Sequence, residues 1–265
     1  MNRLLRFFTK SSQPISDLDG WRMERKFFIP EAKIPWAASL LQHSCPPDRQ
    51  YPQGVIHSLY YDTEDLEDYE DSQQGSRHRK KIRIRWYEPL PEDGSRAAVF
   101  LEMKIKNGFA GQKKRQVFHI PVEVLRAGGW KEGILPYPVL LNTLAQFGFF
   151  PEKRLIPVIR ISYRRRRYTD LMTGARVSLD WRIESVPANW SWTSCRQPLR
   201  MEGAVVEVKG RSAELHKPLA LLKHLETDWT RYSKYACCLQ AHLEEPGSFG
   251  RRMPSGRTSR EDLAE

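Results

Sequence analysis

The sequence is short of three features, and each shortage excludes a class of protein. It has four cysteines in 265 residues and no C-x-x-C pair, so we expect reduced thiols in a cytoplasmic protein rather than a zinc site or a disulfide framework. It has no run of about 18 apolar residues, so we expect no transmembrane helix. Its apolar N-terminal residues are interrupted by Arg3, Arg6 and Lys10, which argues against a signal-peptide core.

Acidic residues are also outnumbered. The chain has 43 Lys and Arg against 32 Asp and Glu, a net charge of +11 and a pI of about 9.6. This excess favours an anionic partner, namely nucleic acid, a membrane surface or a phosphorylated small molecule, and charge alone does not choose among them. Hydrophobic residues make up 40% of the chain, which suffices for a core. We predict one folded domain at 20–244, between a flexible amphipathic segment at 1–19 and a disordered polar tail at 245–265.

Alternation of apolar and polar residues with a period of two dominates the chain and predicts strands. Eight segments show it: 21–29, 54–62, 79–87, 98–106, 115–121, 156–168, 175–183 and 203–209. An even number of antiparallel strands can close into a barrel without exposed edges. We therefore predict a mainly β (α+β) fold, built on a closed eight-stranded antiparallel β-barrel. Helices are expected to buttress its outside at 63–72, 138–147, 213–226 and 232–244.

One face of the predicted strand at 81–87 is basic. Lys81, Arg83 and Arg85 alternate with apolar residues that must be buried, so the basic face meets either solvent or the lumen of a barrel. Four further segments place a charged face opposite a largely apolar one: 22–27, 101–106, 176–183 and 205–209. If helices cover an apolar exterior, the charges line the lumen and require a counter-ion. A chain of phosphates fits, because Arg offers forked donors and Lys a point charge.

Three Glu-x-Lys steps place carboxylates among the basic residues, at Glu24, Glu102 and Glu207. Oxygen ligands of this kind suit Mg²⁺ or Mn²⁺, ions that bridge phosphates in phosphoryl transfer. The alternative for each glutamate is a simple ion pair with a neighbouring basic residue. For the set of three, we favour a metal site. His57, His119 and the other histidines show no triad-like context, and we expect them to be packing or surface residues.

Eight short motifs occur in order: 24–26 (ERK), 59–63 (LYYDT), 81–87 (KIRIRWY), 101–104 (LEMK), 163–168 (YRRRRY), 176–180 (RVSLD), 206–209 (VEVK) and 233–235 (SKY). From about residue 20 to 243, this order resembles the VTC domain, the polyphosphate polymerase domain of the vacuolar transporter chaperone family, within the triphosphate tunnel metalloenzyme (CYTH-like) superfamily. The resemblance implies an eight-stranded tunnel, a nucleoside triphosphate substrate, and Mn²⁺ or Mg²⁺. Arg22 stands where many members of the superfamily have an acidic residue, a loss that VTC-like domains share.

The resemblance and the charged faces together imply roles for individual residues. Catalytic contacts to phosphate are expected from Lys26, Arg83, Arg85, Lys104, Arg165 and Arg176. Further phosphate-binding residues are expected to be Lys81, Lys114 or Arg115, Lys209 and Lys234. The metal is expected on Glu207, with Glu24 and Glu102 as further ligands. The register stays open by one position within 164–167 and within 113–115.

Four functions remain open on the sequence. The first is a polymerase that moves the γ-phosphoryl group of ATP to a phosphate or polyphosphate end. The second is a hydrolase of the same fold, and the third is a non-catalytic polyphosphate-binding module. Nucleic-acid binding, the fourth, is disfavoured because the interspersed carboxylates repel a phosphate backbone unless a metal intervenes. We expect a cytoplasmic protein that can associate with a membrane through a membrane-protein partner, and the short N-terminal stretch could contact a membrane or that partner.

Overall fold

In a computed structural model, the fold is described for residues 9–10, 23–108, 110–189, 191–193, 196–211, 215, 217–225 and 233–244. The strands are β1 (Thr9–Lys10), β2 (Met23–Ile29), β3 (Gln53–Thr63), β4 (His78–Glu88), β5 (Arg96–Asn107), β6 (Ala110–Pro121), β7 (Leu155–Thr169), β8 (Arg176–Pro187), β9 (Leu199–Met201) and β10 (Ala204–Gly210). Apart from β1, the predicted segment 1–19 lies outside the described residues, as does the predicted tail 245–265.

Six α-helices and three 3₁₀ turns accompany the strands in the described part of the chain. The helices are α1 (Ile34–Ser44), α2 (Glu67–Gln74), α3 (Val122–Arg126), α4 (Tyr137–Gln146), α5 (Lys217–Ala220) and α6 (Lys234–Leu243). The 3₁₀ turns are Glu31–Lys33, Trp130–Glu132 and Leu221–Leu225. No helix among these is long and apolar enough to cross a membrane.

All ten strands belong to one sheet, in the order β1-β6-β5-β4-β3-β7-β8-β10-β2 with β9 beside β8, and every pairing is antiparallel. The eight predicted strands are confirmed as β2 to β8 and β10. Strands β1 and β9 were missed, because two and three residues are too few to display an alternation.

The sheet does not close into a barrel, so that prediction is wrong. Among the described residues, β2 forms a backbone ladder only with β10, and the outer edge of β6 pairs with β1. The end strand β2 instead contacts β5 through side chains, where Lys104 Nζ lies 2.9 Å from Glu24 Oε2. An even strand count permits closure but does not require it, since charged side chains also protect an edge. The result is a strongly curled, open sheet.

Two apolar clusters attach helices to the convex face. Ile84 and Leu101 pack with α3 and α4 in the first cluster. Phe27 and Val206 pack with α1 and α5 in the second. These residues are the apolar partners of charged strand positions, so the predicted alternation is confirmed. Full burial of such a side chain stabilises the fold by about 1.5–3 kcal/mol.

Helix α6 lies on the concave face, although the sequence predicted that the helices buttress the outside. Its residues Tyr235, Cys238 and Leu239 share a buried cluster with Ile56 of β3 and Val205 of β10. The helix spacing could not reveal this position, because the sheet offers apolar residues on both faces. Helix α6 therefore covers one part of the concave face and leaves the charged part open.

Candidate active site

The open part of the concave face forms a cleft, which we call the basic cleft. Twelve basic residues line it: Arg25, Lys26, Arg79, Lys80, Lys81, Arg83, Arg85, Lys104, Lys106, Arg165, Lys209 and Lys234. The side chains of Arg25 and Lys80 follow the convex alternation of their strands, and Lys80 Nζ pairs with Asp68 at 2.7 Å. In the described lining, the carboxylates are Glu24 and Glu207. Such an excess of one charge in a concave surface concentrates anions.

Strand β4 supplies the centre of the basic cleft. Ile82 and Ile84 are fully buried on the convex side, so the alternate residues of the strand must face the cleft. Arg83 Nη1 donates to Tyr60 Oη at 3.0 Å, and Arg85 Nε donates to Ser58 Oγ at 3.3 Å. These hydroxyl partners orient the two guanidinium groups without neutralising their charge.

Glu102 is the counter-ion beneath these arginines. Its carboxylate is 2% exposed and lies 2.7 Å from Arg83 Nη2, 2.8 Å from Lys113 Nζ and 3.4 Å from Arg115 Nε. Burial raises the pKa of Glu102, but the surrounding cations, led by Arg83, hold it well below its usual range. Glu102 is therefore ionised and engaged with cations, which favours the ion-pair alternative for this glutamate.

Glu24 and Glu207 lie side by side on the neighbouring strands β2 and β10. Lys26 Nζ is 3.4 Å from Glu24 Oε1 and 3.8 Å from Glu207 Oε1. Lys209 Nζ is 3.7 Å and 3.3 Å from the same two carboxylates. Burial raises the pKa of both carboxyl groups, and Glu207 further raises that of Glu24, but Lys26 and Lys209 oppose these effects and both pKa values lie below the usual range. Both groups are therefore anionic near neutral pH.

This carboxylate pair fits a divalent cation if substrate phosphates and water supply the remaining ligands. Among the described residues, no group of three or more His, Cys, Asp or Glu side chains is placed to hold a metal by itself. Mg²⁺, however, is commonly held by one or two carboxylates together with substrate phosphates and water. Glu24 and Glu207 match that pattern, because they are adjacent, anionic and open to the basic cleft.

Asp180 on β8 anchors two cations of the cleft. It is fully buried, and its carboxylate lies 2.5 Å from Arg165 Nε and 2.6 Å from Lys234 Nζ. Burial alone would raise the pKa of Asp180. The nearby cations Arg165 and Lys234 lower it by more than burial raises it, so the pKa lies below its usual value. Arg164 and Arg166, the neighbours of Arg165, are exposed on the opposite face. The structure thus resolves the register of the arginine run and places Arg165 in the cleft.

Lys81 lies in the basic cleft and has a strongly lowered pKa. Its Nζ donates to Ser233 Oγ at 2.7 Å, beside the first turn of α6. Burial, and then Lys26 and Lys104, lower the pKa of Lys81 to about 7. The low pKa of Lys81 therefore comes first from the burial of its ammonium group and then from repulsion by the neighbouring cations of the cleft.

Four predicted site residues lie outside the lining of the basic cleft: Glu102, Lys114, Arg115 and Arg176. Lys114 is on the opposite face of β6, where its Nζ donates to the carbonyl of Phe147. Arg176 is exposed at the start of β8 and does not belong to the cleft lining. Arg115 faces Glu102 and the ring of Phe100, 3.7 Å from the ring centroid. Of the two candidates within 113–115, Arg115 therefore lies on the face of β6 that meets Glu102, and its contact with phosphate stays a prediction.

Sequence reasoning also missed residues that complete the site. Lys113 alternates with Arg115 on β6, so the period of two could have identified it once the register was known. Lys106, Arg79 and Lys80 extend the basic lining. The contribution of Ser233 depends on the position of α6 over the cleft, and no local pattern indicates that position.

The fold was compared with solved structures. It resembles a candidate adenylate cyclase from Bacillus halodurans at 15% identity and a TM-score of 0.47, over 80% of this chain and 93% of that one. It also resembles a candidate adenylate cyclase from Vibrio parahaemolyticus at 10% identity and a TM-score of 0.39, over 78% and 89% of the two chains. TM-scores this low carry no weight for function. A search of curated proteins found no match.

The family of this chain follows from a match to a protein-family model. The VTC domain matches residues 21–243, nearly the span over which the eight motifs occur. The match includes β2 to β10 and every residue of the basic cleft. The resemblance predicted from the motifs is confirmed, and this chain belongs to the VTC domain family.

Proposed function

We propose that this protein is a metal-dependent polyphosphate polymerase that transfers the γ-phosphoryl group of ATP to the end of a polyphosphate chain. The observation that carries the proposal is the basic cleft, whose lining has twelve basic residues and one pair of carboxylates. Several linked phosphates and a divalent ion complement that arrangement of charge. Membership of the VTC family supports an enzyme acting on triphosphate or polyphosphate.

The chemistry requires position and charge more than it requires a protein nucleophile. An oxygen at the chain end forms a bond to the γ-phosphorus while the bond from that phosphorus to the bridging oxygen of ADP breaks. Arg83 and Arg85 would bind the phosphate oxygens with guanidinium groups that Tyr60 and Ser58 already orient. Charge that develops in the transition state then meets fixed donors, and no reorganisation is needed.

Glu24 and Glu207 would hold the divalent ion, which when bound supplies charge neutralisation between neighbouring phosphates. Lys26 and Lys209 contact both carboxylates. These lysines keep the carboxylate pair anionic and place positive charge next to the same phosphates.

A related hydrolase is the second candidate, and one observation favours it. The sheet is open between β2 and the far strands, where the described contact is the Lys104–Glu24 ion pair rather than a backbone ladder. An open edge admits water, which would then be the acceptor. The products separate the two reactions, because polymerisation gives polyphosphate and ADP whereas hydrolysis gives free phosphate.

The test is purified protein with ATP and Mn²⁺, with polyphosphate and free phosphate measured separately. The variants are Arg83→Ala, Lys104→Ala and Glu207→Gln. The matched control is Arg164→Ala, which removes an exposed arginine next to Arg165 on the opposite face of the same strand.

We expect polyphosphate from the wild type and from the Arg164 variant, and a loss of at least about a hundredfold in the cleft variants. Free phosphate alone, with the same pattern of losses, would replace the polymerase with the hydrolase. Chelator-sensitive binding of polyphosphate without turnover would leave a binding module. Equal activity in all variants would place the chemistry outside the basic cleft.

A further inference from the structure

A serine, a histidine and a glutamate form a hydrogen-bonded chain on the convex face. His57 Nδ1 lies 2.8 Å from Ser162 Oγ, and His57 Nε2 lies 2.9 Å from Glu88 Oε1. His57 is buried and stacked on Trp86, as expected of a packing residue, but it also has two hydrogen-bonding partners that no local pattern in the sequence indicates. Its partners are 105 and 31 positions away in the chain, and the pairing of β3 with β4 and β7 brings them together.

The chain of hydrogen bonds fixes the tautomer of the imidazole. An ionised carboxylate only accepts hydrogen bonds. Nε2 of His57 therefore carries the proton and donates a hydrogen bond to Glu88. Nδ1 is then an acceptor, and its partner must be the hydroxyl proton of Ser162. This is the polarity that a general base needs before a serine attacks an electrophile.

The surroundings keep His57 neutral. Burial lowers the pKa of His57, and Arg160 adds to that effect, while Glu88 opposes it. The imidazole also stacks on Trp86, with the ring centroids 5.2 Å apart. Near pH 7 the base is therefore unprotonated and held in one orientation, while Ser162 remains partly exposed.

Arginines flank Ser162 on the same face. Arg160 precedes it by two residues and lies over Trp130, 5.0 Å from the ring centroid. Its buried Nε–H meets no acceptor among the described residues. Arg164 follows two residues later, opposite Trp181 and exposed. Glu184 of β8 is the cross-strand partner of Ser162 and offsets part of the positive charge of the two arginines. The Nε–H donor of Arg160 and the exposed guanidinium group of Arg164 still favour a substrate that carries a carbonyl and a negative charge.

We propose that Ser162 is a nucleophilic serine that cleaves small anionic esters, with His57 as its general base and Glu88 as the residue that orients His57. Ser162 Oγ bonds to the acyl carbon while its proton passes to His57 Nδ1. The ester C–O bond breaks, and the leaving alkoxide takes that proton from His57. Water then attacks the acyl-serine, its proton passes through His57 to Ser162, and a carboxylic acid is released.

Two probes test this site on the full chain. The first is diisopropyl fluorophosphate, with the adduct located by mass spectrometry. The second is the mono-4-nitrophenyl ester of succinic acid, compared with the uncharged 4-nitrophenyl acetate. We expect one adduct, on Ser162, and faster hydrolysis of the anionic ester. Ser162→Ala should abolish both signals.

Glu88→Gln tests the orienting role at a side chain that is 45% exposed, so the variant should fold. We expect at least a tenfold slower reaction of Ser162, because an amide no longer fixes the imidazole tautomer. The chain supplies a matched control in Ser39→Ala. Ser39 Oγ lies 3.4 Å from His43 Nδ1, but that nitrogen also lies 2.8 Å from the Ser39 carbonyl, and the pair is exposed.

The labelling and hydrolysis rates decide whether Ser162 is a nucleophile. Labelling at Ser162 that depends on Glu88 and is unchanged in the Ser39 variant supports the proposal. Labelling no faster than that of Ser39, or a rate unaffected by Glu88→Gln, would overturn it. Equal rates on the two esters would overturn the preference for anionic substrates. None of these results depends on polymerase activity in the basic cleft.

Discussion

Asp180 is a single side chain on which two cations of the basic cleft depend. It is fully buried between Arg165 and Lys234. We expect Asp180→Asn to lower the free energy of unfolding by about 3 kcal/mol, because two buried cations lose their counter-ion. For a chain of this size, the melting temperature should fall by on the order of 10 °C.

Thermal unfolding followed by circular dichroism measures this effect. Asp65→Asn is the control, since the ion pair of Asp65 with Lys153 has a similar distance, 2.8 Å, but Asp65 is 69% exposed. We expect a change below about 1 kcal/mol for this exposed pair. Equal losses in the two variants would contradict the anchoring role of Asp180.

Lys81 predicts that phosphate binding takes up a proton. Its pKa is lowered to about 7 by burial and then by neighbouring lysines. A bound polyanion favours the charged lysine, which raises this pKa, so affinity should fall as the pH rises above about 7. Calorimetric titration with polyphosphate at pH 8, in buffers of different ionisation enthalpy, measures the proton uptake.

The matched variant is Lys81→Met, which should bind polyphosphate more weakly at pH 6.5 and lose much of the pH dependence. Lys209, which is partly exposed on the other side of the cleft, supplies the comparison. A Lys209→Met variant that keeps the proton uptake would assign it to Lys81. Uptake that persists in the Lys81 variant would show that another group titrates.

At the scale of elements, helix α6 is tied to the sheet through a buried tyrosine. Tyr235 Oη donates to Asp62 Oδ2 at 2.6 Å, and its ring stacks on Tyr60 with the centroids 4.8 Å apart. Asp62 also accepts the backbone N–H groups of Asp68 and Tyr69 at the start of α2. One carboxylate therefore connects β3, α2 and α6.

We expect Tyr235→Phe to lower the free energy of unfolding by about 1–3 kcal/mol, because the ring stays in place while buried Asp62 loses a donor. Chemical denaturation measures the change. Tyr69→Phe is the control, since the hydroxyl of Tyr69 meets only the exposed Gln73 among the described residues, and it should cost little. A neutral Tyr235→Phe would mean that packing alone holds α6.

The strands of the fold could be predicted from local sequence patterns, but several features of the helices could not. The strands were predictable, because the alternation along β4 and β5 directly records two faces of the sheet. Helix α1 was missed, and α2 begins at Glu67 rather than at Thr63, because β3 runs on through Thr63. The position of α6 was not predictable either, since it depends on apolar residues of β3 and β10 that lie far away in the sequence.

At the scale of the whole molecule, the summed positive charge predicts strongly salt-dependent binding. We expect the affinity for a polyphosphate of fixed length to fall at least about tenfold between 50 and 200 mM salt, because cleft cations replace condensed counter-ions. Binding isotherms at several salt concentrations give the slope. Lys104→Ala with Lys106→Ala should reduce the slope, whereas Arg164→Ala with Arg166→Ala should leave it unchanged.

The same scale explains why the cleft was predictable and its closure was not. Charge segregation is a property of each strand, so Lys26, Arg83 and Lys209 could be assigned to one surface before the fold was known. Whether the end strands join is decided by backbone pairing between residues far apart in the chain. No residue of β2 or β6 carries a local signal for that choice.

Helix α6 limits the paths by which molecules could enter and leave the basic cleft. Its apolar side occupies one part of the concave face, and its first residues, Ser233 and Lys234, border the charged part. Under the proposed polymerase function, the described residues leave no exit for a polymer beneath α6. Incoming nucleotide and outgoing chain would then share the mouth of the cleft or the open edge of the sheet. A lengthening product would compete with ATP for the same space, so the geometry of the cleft would limit the length of the product.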